Sequence, residues 1–112
     1  MIRVDYYPAD HRLTVKGHAN SAPRGEDLIC CAASAYMYAL QYNVEFLYDK
    51  GWMTDIYVRM DPGDTEIRCN PIEDKSHMTT MLFNWMSMGF FILEADHPDY
   101  VVCKVHDRLP TL

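Results

Sequence analysis

A chain of 112 residues, 49% hydrophobic and 23% charged, has room for one folded domain over residues 1 to 112 and lacks the composition of a disordered or collagen-like polymer. Ten basic against sixteen acidic residues give a net charge of -6, which argues against direct nucleic acid binding and favours a partner with a basic surface. No apolar run approaches the about 18 residues of a membrane span, and the first residues lack the basic-then-apolar order of a secretion signal, so a cytoplasmic protein without membrane contact is expected.

In chain order, Ile2, Val4 and Tyr6 alternate with Arg3 and Asp5, and Leu13 and Val15 resume the alternation after Pro8-Ala9-Asp10-His11. This pattern predicts a hairpin. Asn20 to Glu26 holds Ser21, Pro23 and Gly25 with almost nothing bulky to bury, which predicts an exposed, mobile loop. Asp27 to about Asp49 reads as one long helix with two apolar stripes: Leu28, Cys31, Ala35, Ala39, Tyr42 and Phe46, and beside it Ile29, Ala33, Tyr36, Leu40, Val44 and Leu47. Only Ser34, Gln41 and Glu45 keep a polar strip, so the helix should be covered on more than one side, with Ala32, Ala35 and Ala39 allowing close approach. Met53 to Met60 and Thr65 to Cys69 read as strands joined by the turn Asp61-Pro62-Gly63-Asp64. Asp74 to about Glu94 is a second helix, with Met78, Met81, Leu82, Trp85 and Ile92 at helical spacing and a bend expected at Gly89. Tyr100 to Val105 is a last strand. The order ββαββαβ predicts an α+β domain with a mostly antiparallel sheet covered by two helices. Such a small chain buries roughly two thirds of its unfolded surface, so a second copy covering the doubly apolar helix is expected, as a homodimer.

The four cysteines are Cys30, Cys31, Cys69 and Cys103, with no C-x-x-C pair, which suits a reducing compartment. Chemistry concentrates between Gly17 and Ser34. There a histidine, His18, ends a strand, and a cysteine, Cys30, begins a helix. A thiol in a first helical turn faces free backbone N–H groups and the positive end of the helix dipole, which favour the thiolate. Asp27 as N-cap would accept the Cys30 N–H. His18 beside the sulfur would form an ion pair at rest and protonate a leaving amine. The bland alternative is a small buried cysteine, and Cys31 fits it well, lying in the stripe with Leu28 and Ala35. Cys69 and Cys103 read as core or edge thiols; His11, His77, His97 and His106 read as solvated; the aromatics and methionines of the second helix read as core.

Gly17-His18-Ala19, then Gly25, Asp27, Cys30 and Ser34 at these intervals, resembles the motif of the ribosomal-processing cysteine protease family, Prp. The resemblance implies a homodimeric cysteine endopeptidase that removes a short N-terminal extension from one large-subunit ribosomal protein, the twenty-seventh, cutting after an aromatic residue. It implies Cys30 as nucleophile and His18 as its partner, with Gly17, Gly25, Asp27 and Ser34 in support. The segment Ala19, Asn20, Ser21, Ala22, Pro23, Arg24, Gly25 and Glu26 would lie over the site and order around substrate. No cofactor or metal is implied. Cys31 stands where the family usually has a small residue, often alanine; because adjacent helical residues point about 100° apart, the two thiols are not expected to line one site.

Two other classes compete. One is a non-catalytic module that docks on a ribosomal protein. The other takes His18, Cys30, Cys31 and Cys69 as metal ligands, against which stands the absence of the paired spacings of zinc sites.

Overall fold

The computed structural model describes residues 1 to 106, so the last positions of the expected domain, 107 to 112, lie outside the described residues. Strands β1 (Ile2–Tyr7) and β2 (Arg12–Lys16) form the expected hairpin, joined by a 3-10 turn over Pro8–Asp10 that closes with His11 in the left-handed region. Helix α1 (Leu28–Asp49) follows, then strands β3 (Met53–Asp61) and β4 (Asp64–Pro71), helix α2 (Ser76–Asp96) and strand β5 (Val101–Val105). One five-stranded sheet has the order β3-β4-β2-β1-β5. All its pairings are antiparallel except β1 with β5, which run parallel. This is the α+β architecture expected.

Both helices cover the same sheet face, α1 over β3 and β4, α2 over β5 and β2. Ile2, Val4 and Tyr6 of β1, Leu13 of β2 and Ile67 of β4 point into this layer and are buried. From above come Met37, Leu40 and Val44 of α1 and Phe83 and Phe90 of α2. Truncating either phenylalanine to alanine would cost about 3–5 kcal/mol through lost burial and the cavity left behind. The other face is polar. Arg12 and Arg68 sit opposite each other across β2 and β4. Their repulsion is relieved by the largely buried Glu66, whose Oε2 lies 2.9 Å from Arg12 Nε.

Several sequence expectations are corrected here. In α1 the second stripe, with Ile29, Ala33, Leu40 and Val44, faces the sheet, whereas Leu28, Cys31, Ala35, Ala39, Tyr42 and Phe46 are exposed. Both stripes are apolar, and the sheet can accept only one. Cys31 is therefore a surface thiol, and the close approach to the sheet is made by Ala33, not by Ala35 or Ala39. In α2 the sheet-facing stripe is Thr79, Phe83, Ser87, Phe90 and Leu93, while Met78, Trp85 and Ile92 point outward. Ser87 tolerates burial because its hydroxyl donates to the Phe83 carbonyl at 2.7 Å.

The helix runs unbroken through Gly89. That glycine serves contact rather than bending, since a Cβ there would lie 2.9 Å from the Tyr36 ring, which packs edge-on against Phe90. Asp74 belongs to a 3-10 turn, Glu73–Lys75, and α2 begins at Ser76. Two histidines read as solvated are held. His11 is buried, with Nε2 2.8 Å from the Thr80 hydroxyl, and His106 Nε2 lies 2.7 Å from Asp5 with its ring stacked on Tyr7. Among the described residues no helix is long and apolar enough to cross a membrane.

Candidate functional site

The site forms where β2 ends, α1 begins and the β3–β4 turn closes over both. Past Lys16 the chain is tied on two sides: the Gly17 N–H donates to the Gly63 carbonyl at 2.9 Å, and the Met1 ammonium donates to the His18 carbonyl at 2.7 Å. The buried Ala19 then turns its N–H onto Cys30 Sγ at 3.3 Å. This brings the strand end and the helix start to one place.

Asp27 organises the helix start. Its Oδ1 accepts the N–H groups of Ile29 and Cys30 at 3.1 and 3.0 Å, and its backbone carbonyl accepts the Cys31 N–H. The same carboxylate reaches back into the loop, taking the Ser21 hydroxyl on Oδ1 at 2.7 Å and the Ser21 N–H on Oδ2 at 2.9 Å. The Ser21 hydroxyl, then the Cys30 N–H, hold the Asp27 carboxyl well below the usual carboxylate range. Asp27 is ionised across the physiological range and satisfies donors that the helix leaves unpaired. Loop composition alone did not reveal this tie at Ser21.

These residues line an open cleft of about 700 Å³. Of the positions singled out in the sequence, Gly17, His18, Asn20, Ala22, Arg24, Gly25, Asp27, Cys30 and Ser34 line it. Ala19, Ser21, Pro23 and Glu26 do not; Ala19 acts from beneath through its N–H, and Ser21 through Asp27. Cys31 also lines the cleft, which corrects the expectation that the two adjacent thiols could not share a site. The 100° rotation holds, but the cleft is wide enough to run across the helix from Cys30 to its exposed neighbour.

Sequence reasoning missed the far wall. Met60, Asp61, Pro62, Gly63 and Thr65 come from the β3–β4 hairpin, and Met37 and Tyr38 continue along α1. The α1 pair carried a readable signal: Asp27, Cys30, Ser34, Met37 and Tyr38 follow one another at helical spacing. The hairpin carried none beyond its turn residues. Tyr38 and Met60 make the cleft apolar beside the thiols, above the buried Met37, and the tip of the His18 ring occupies the space that a Cβ on Gly63 would fill.

The other two cysteines are chemically quiet. Burial first, then the charge of Asp55, pushes the Cys69 thiol up to about 12; burial first, then Glu94, does the same to Cys103. Both remain protonated thiols at neutral pH. No group of three or more His, Cys, Asp or Glu is gathered as metal ligands among the described residues, so the set His18, Cys30, Cys31 and Cys69 does not assemble. Cys69 is 2% exposed, in the core of β4. His18 and Cys30 thus line one cleft, with a backbone donor on the sulfur.

The family model of the cysteine protease Prp matches residues 1–102. Among solved structures, the chain is similar to the essential ribosomal processing protease Prp from Staphylococcus aureus in complex with a covalently linked product peptide, at a TM-score of 0.73 and 19% identity over 95% of this chain and 100% of that one. The same protein in complex with a substrate peptide gives a TM-score of 0.66 at 18% identity, over 95% and 100% of the two chains. SMU.848 from Streptococcus mutans gives 0.66 at 20% identity, over 96% and 93%. At these identities the structural likeness is one of fold. No curated protein sequence matches the chain.

Proposed function

The chain belongs to the cysteine protease Prp family, and we propose that Cys30 is its nucleophile, that His18 is the general acid and base, and that the chain works as a single protease domain. The observation that carries this reading is the Ala19 N–H on Cys30 Sγ, in a cleft that His18 also lines. The donor and the first turn of α1 together fix where the sulfur stands at the cleft. The Cys30 proton moves to the His18 imidazole, and the thiolate attacks the carbonyl carbon of the scissile bond. His18 returns the proton to the departing amine as the C–N bond breaks, leaving a thioester on Cys30. Water, deprotonated by His18, then hydrolyses the thioester and restores the thiol. Asp27 fixes the helix start, and Ser34, one turn beyond Cys30, borders the substrate path.

The substrate in this reading is the twenty-seventh protein of the large ribosomal subunit, from which a short N-terminal extension is removed in the cytoplasm. Prp from Staphylococcus aureus is described as a ribosomal processing protease and binds a substrate peptide. A net charge of -6 suits a basic substrate. The apolar side chains of Tyr38 and Met60 suit an aromatic residue before the cut. The loop over Ala19 to Glu26 would close around the peptide.

The working unit in this reading is a homodimer. Leu28, Tyr42 and Phe46 of α1 and Trp85, Met88 and Ile92 of α2 are all more than half exposed, on the helix faces turned away from the sheet. A second copy would cover them.

The test is incubation with a peptide spanning the N-terminal extension of the source organism's own ribosomal protein, read by mass spectrometry. One discrete cut that disappears with Cys30→Ala is expected. Absence of a cut from about pH 6 to about pH 9 would favour a docking module without activity.

A further inference from the structure

The wall opposite the thiols contains a contact that the motif does not include. A Cβ built on Gly63 would lie 2.5 Å from His18 Nε2, 2.9 Å from Cε1 and 3.2 Å from Cδ2. The nitrogen tip of the imidazole thus occupies space that every other residue type at position 63 would fill. The backbone repeats the connection: the Gly63 carbonyl accepts the N–H of Gly17, the residue just before His18, at 2.9 Å. One residue of the β3–β4 turn therefore holds the main chain leading into His18 and leaves the space that the tip of its exposed ring occupies. Pro62 and Asp64 flank it in a tight connection between paired strands, so this wall is part of the sheet rather than a free loop.

We infer that Gly63 is a positioning residue for His18, setting where the imidazole stands relative to Cys30. The inference rests on the reading of His18 as the proton carrier. Gly63 also has φ +70°, so a glycine could be needed there for the turn alone. Gly51 separates the two explanations. It has φ +83° and nothing within 4 Å of its virtual Cβ, at the end of α1 and away from the cleft. Alanine at either position meets the same left-handed backbone penalty. Only at position 63 does the methyl press on the imidazole.

Relief of that contact requires a ring displacement of about 1 Å, and a misplacement of that size is enough to lower a rate by about 10²-fold. Gly63→Ala and Gly51→Ala are compared on the ribosomal extension peptide, and Cys30 alkylation by iodoacetamide is followed against pH with peptide mapping, which needs no substrate. Gly63→Ala should lower kcat by about 10- to 100-fold with KM nearly unchanged. Its Cys30 alkylation profile should move towards that of His18→Ala, while Gly51→Ala keeps both properties of the wild type. If Gly63→Ala matches Gly51→Ala in kcat and in the alkylation profile, the positioning role is overturned and the assignment of His18 stands. If His18→Ala itself keeps full activity, the proton-carrier reading falls and this inference with it. Should Gly63→Ala fail to fold, the wild-type protein decides by NMR: ring protons of His18 must show nuclear Overhauser contacts to the Cα protons of Gly63, and their absence overturns the proposal.

Discussion

The backbone N–H of Ala19 donates to the sulfur of Cys30 at 3.3 Å, joining the end of β2 to the first turn of α1. That donor distinguishes two neighbouring thiols that share one cleft. Substoichiometric iodoacetamide followed by peptide mapping should label Cys30 ahead of Cys31, although Cys31 is the more exposed. Cys30→Ala or Cys30→Ser should reduce peptide cleavage by about 10³-fold or more with the fold retained. His18→Ala should resemble them in rate but leave a Cys30 that alkylates more slowly at neutral pH. Preferential labelling of Cys31, or full activity in Cys30→Ala, would mean that the wrong sulfur has been chosen.

Cys31→Ala should be nearly silent. The side chain is exposed on the outer stripe of α1, so no core cavity forms, and surface changes of this kind stay within about 0.5 kcal/mol. Denaturant midpoints of the variant and the wild type should coincide, and cleavage should persist. A loss of more than about 1 kcal/mol would show that the Cys31 sulfur is packed rather than open at the cleft.

Asp27 predicts an acid-sensitive helix start. Its folded pKa lies below the ordinary value of 3.8, because the Ser21 hydroxyl and then the Cys30 N–H favour the carboxylate. Near and below that value the unfolded chain binds the proton more readily than the native one, so stability rises with pH. The cap's contribution is complete above about pH 5 and lost as the pH falls through the folded value. Asp27→Asn, which keeps a capping side chain but cannot ionise, should flatten the difference in thermal midpoint between about pH 5 and about pH 3. An unchanged slope would remove Asp27 from the acid response.

His11 works in a higher window. Burial, the largest influence, lowers its pKa below 6.5 even though the Ser76 backbone and Asp10 pull the other way. The native imidazole stays neutral where the unfolded one takes up a proton, so stability should fall as the pH drops below about 6.5. A double comparison of wild type with His11→Asn at about pH 7.5 and about pH 5.5, by urea unfolding, isolates this group. The wild type should lose more stability over that interval than the variant; an equal loss would assign the effect to other groups.

The sequence made one half of the site readable and hid the other for a physical reason. Gly17, His18, Asp27, Cys30 and Ser34 stand close together in the chain, so a strand end, a short loop and a helix start bring them to one place through local geometry. Met60 to Thr65 reaches the same cleft only because β4 pairs with β2, and nothing in Asp61-Pro62-Gly63-Asp64 beyond a turn announces a neighbour so distant in sequence. The elements and their order were legible from alternation, helical spacing and turn residues. The buried side of each helix was not. In α1 two adjacent stripes are equally apolar, and in α2 the larger residues, Trp85 and Ile92, point outward while Thr79 and Ser87 face the sheet with their hydroxyls returned to the backbone.

That outward-facing apolar surface carries the last prediction. Tyr42 and Phe46 are 68% and 58% exposed on α1, and Trp85 and Ile92 are 65% and 57% exposed on α2. A monomer gains nothing from holding such side chains in water, whereas a second copy would bury them at about 25 cal/mol per Å² of apolar surface. Charges placed there should oppose association without harming the core. Phe46→Asp and Trp85→Lys should each shift the protein from a species of twice the chain mass to one of single mass in sedimentation at micromolar concentration, with the far-UV circular dichroism unchanged. Because each variant leaves the cleft residues in place, the Cys30 alkylation rate in the monomer then reports whether one copy holds a complete site. A wild-type protein that sediments as a single chain at these concentrations would refute the dimer and leave this face open to a different partner.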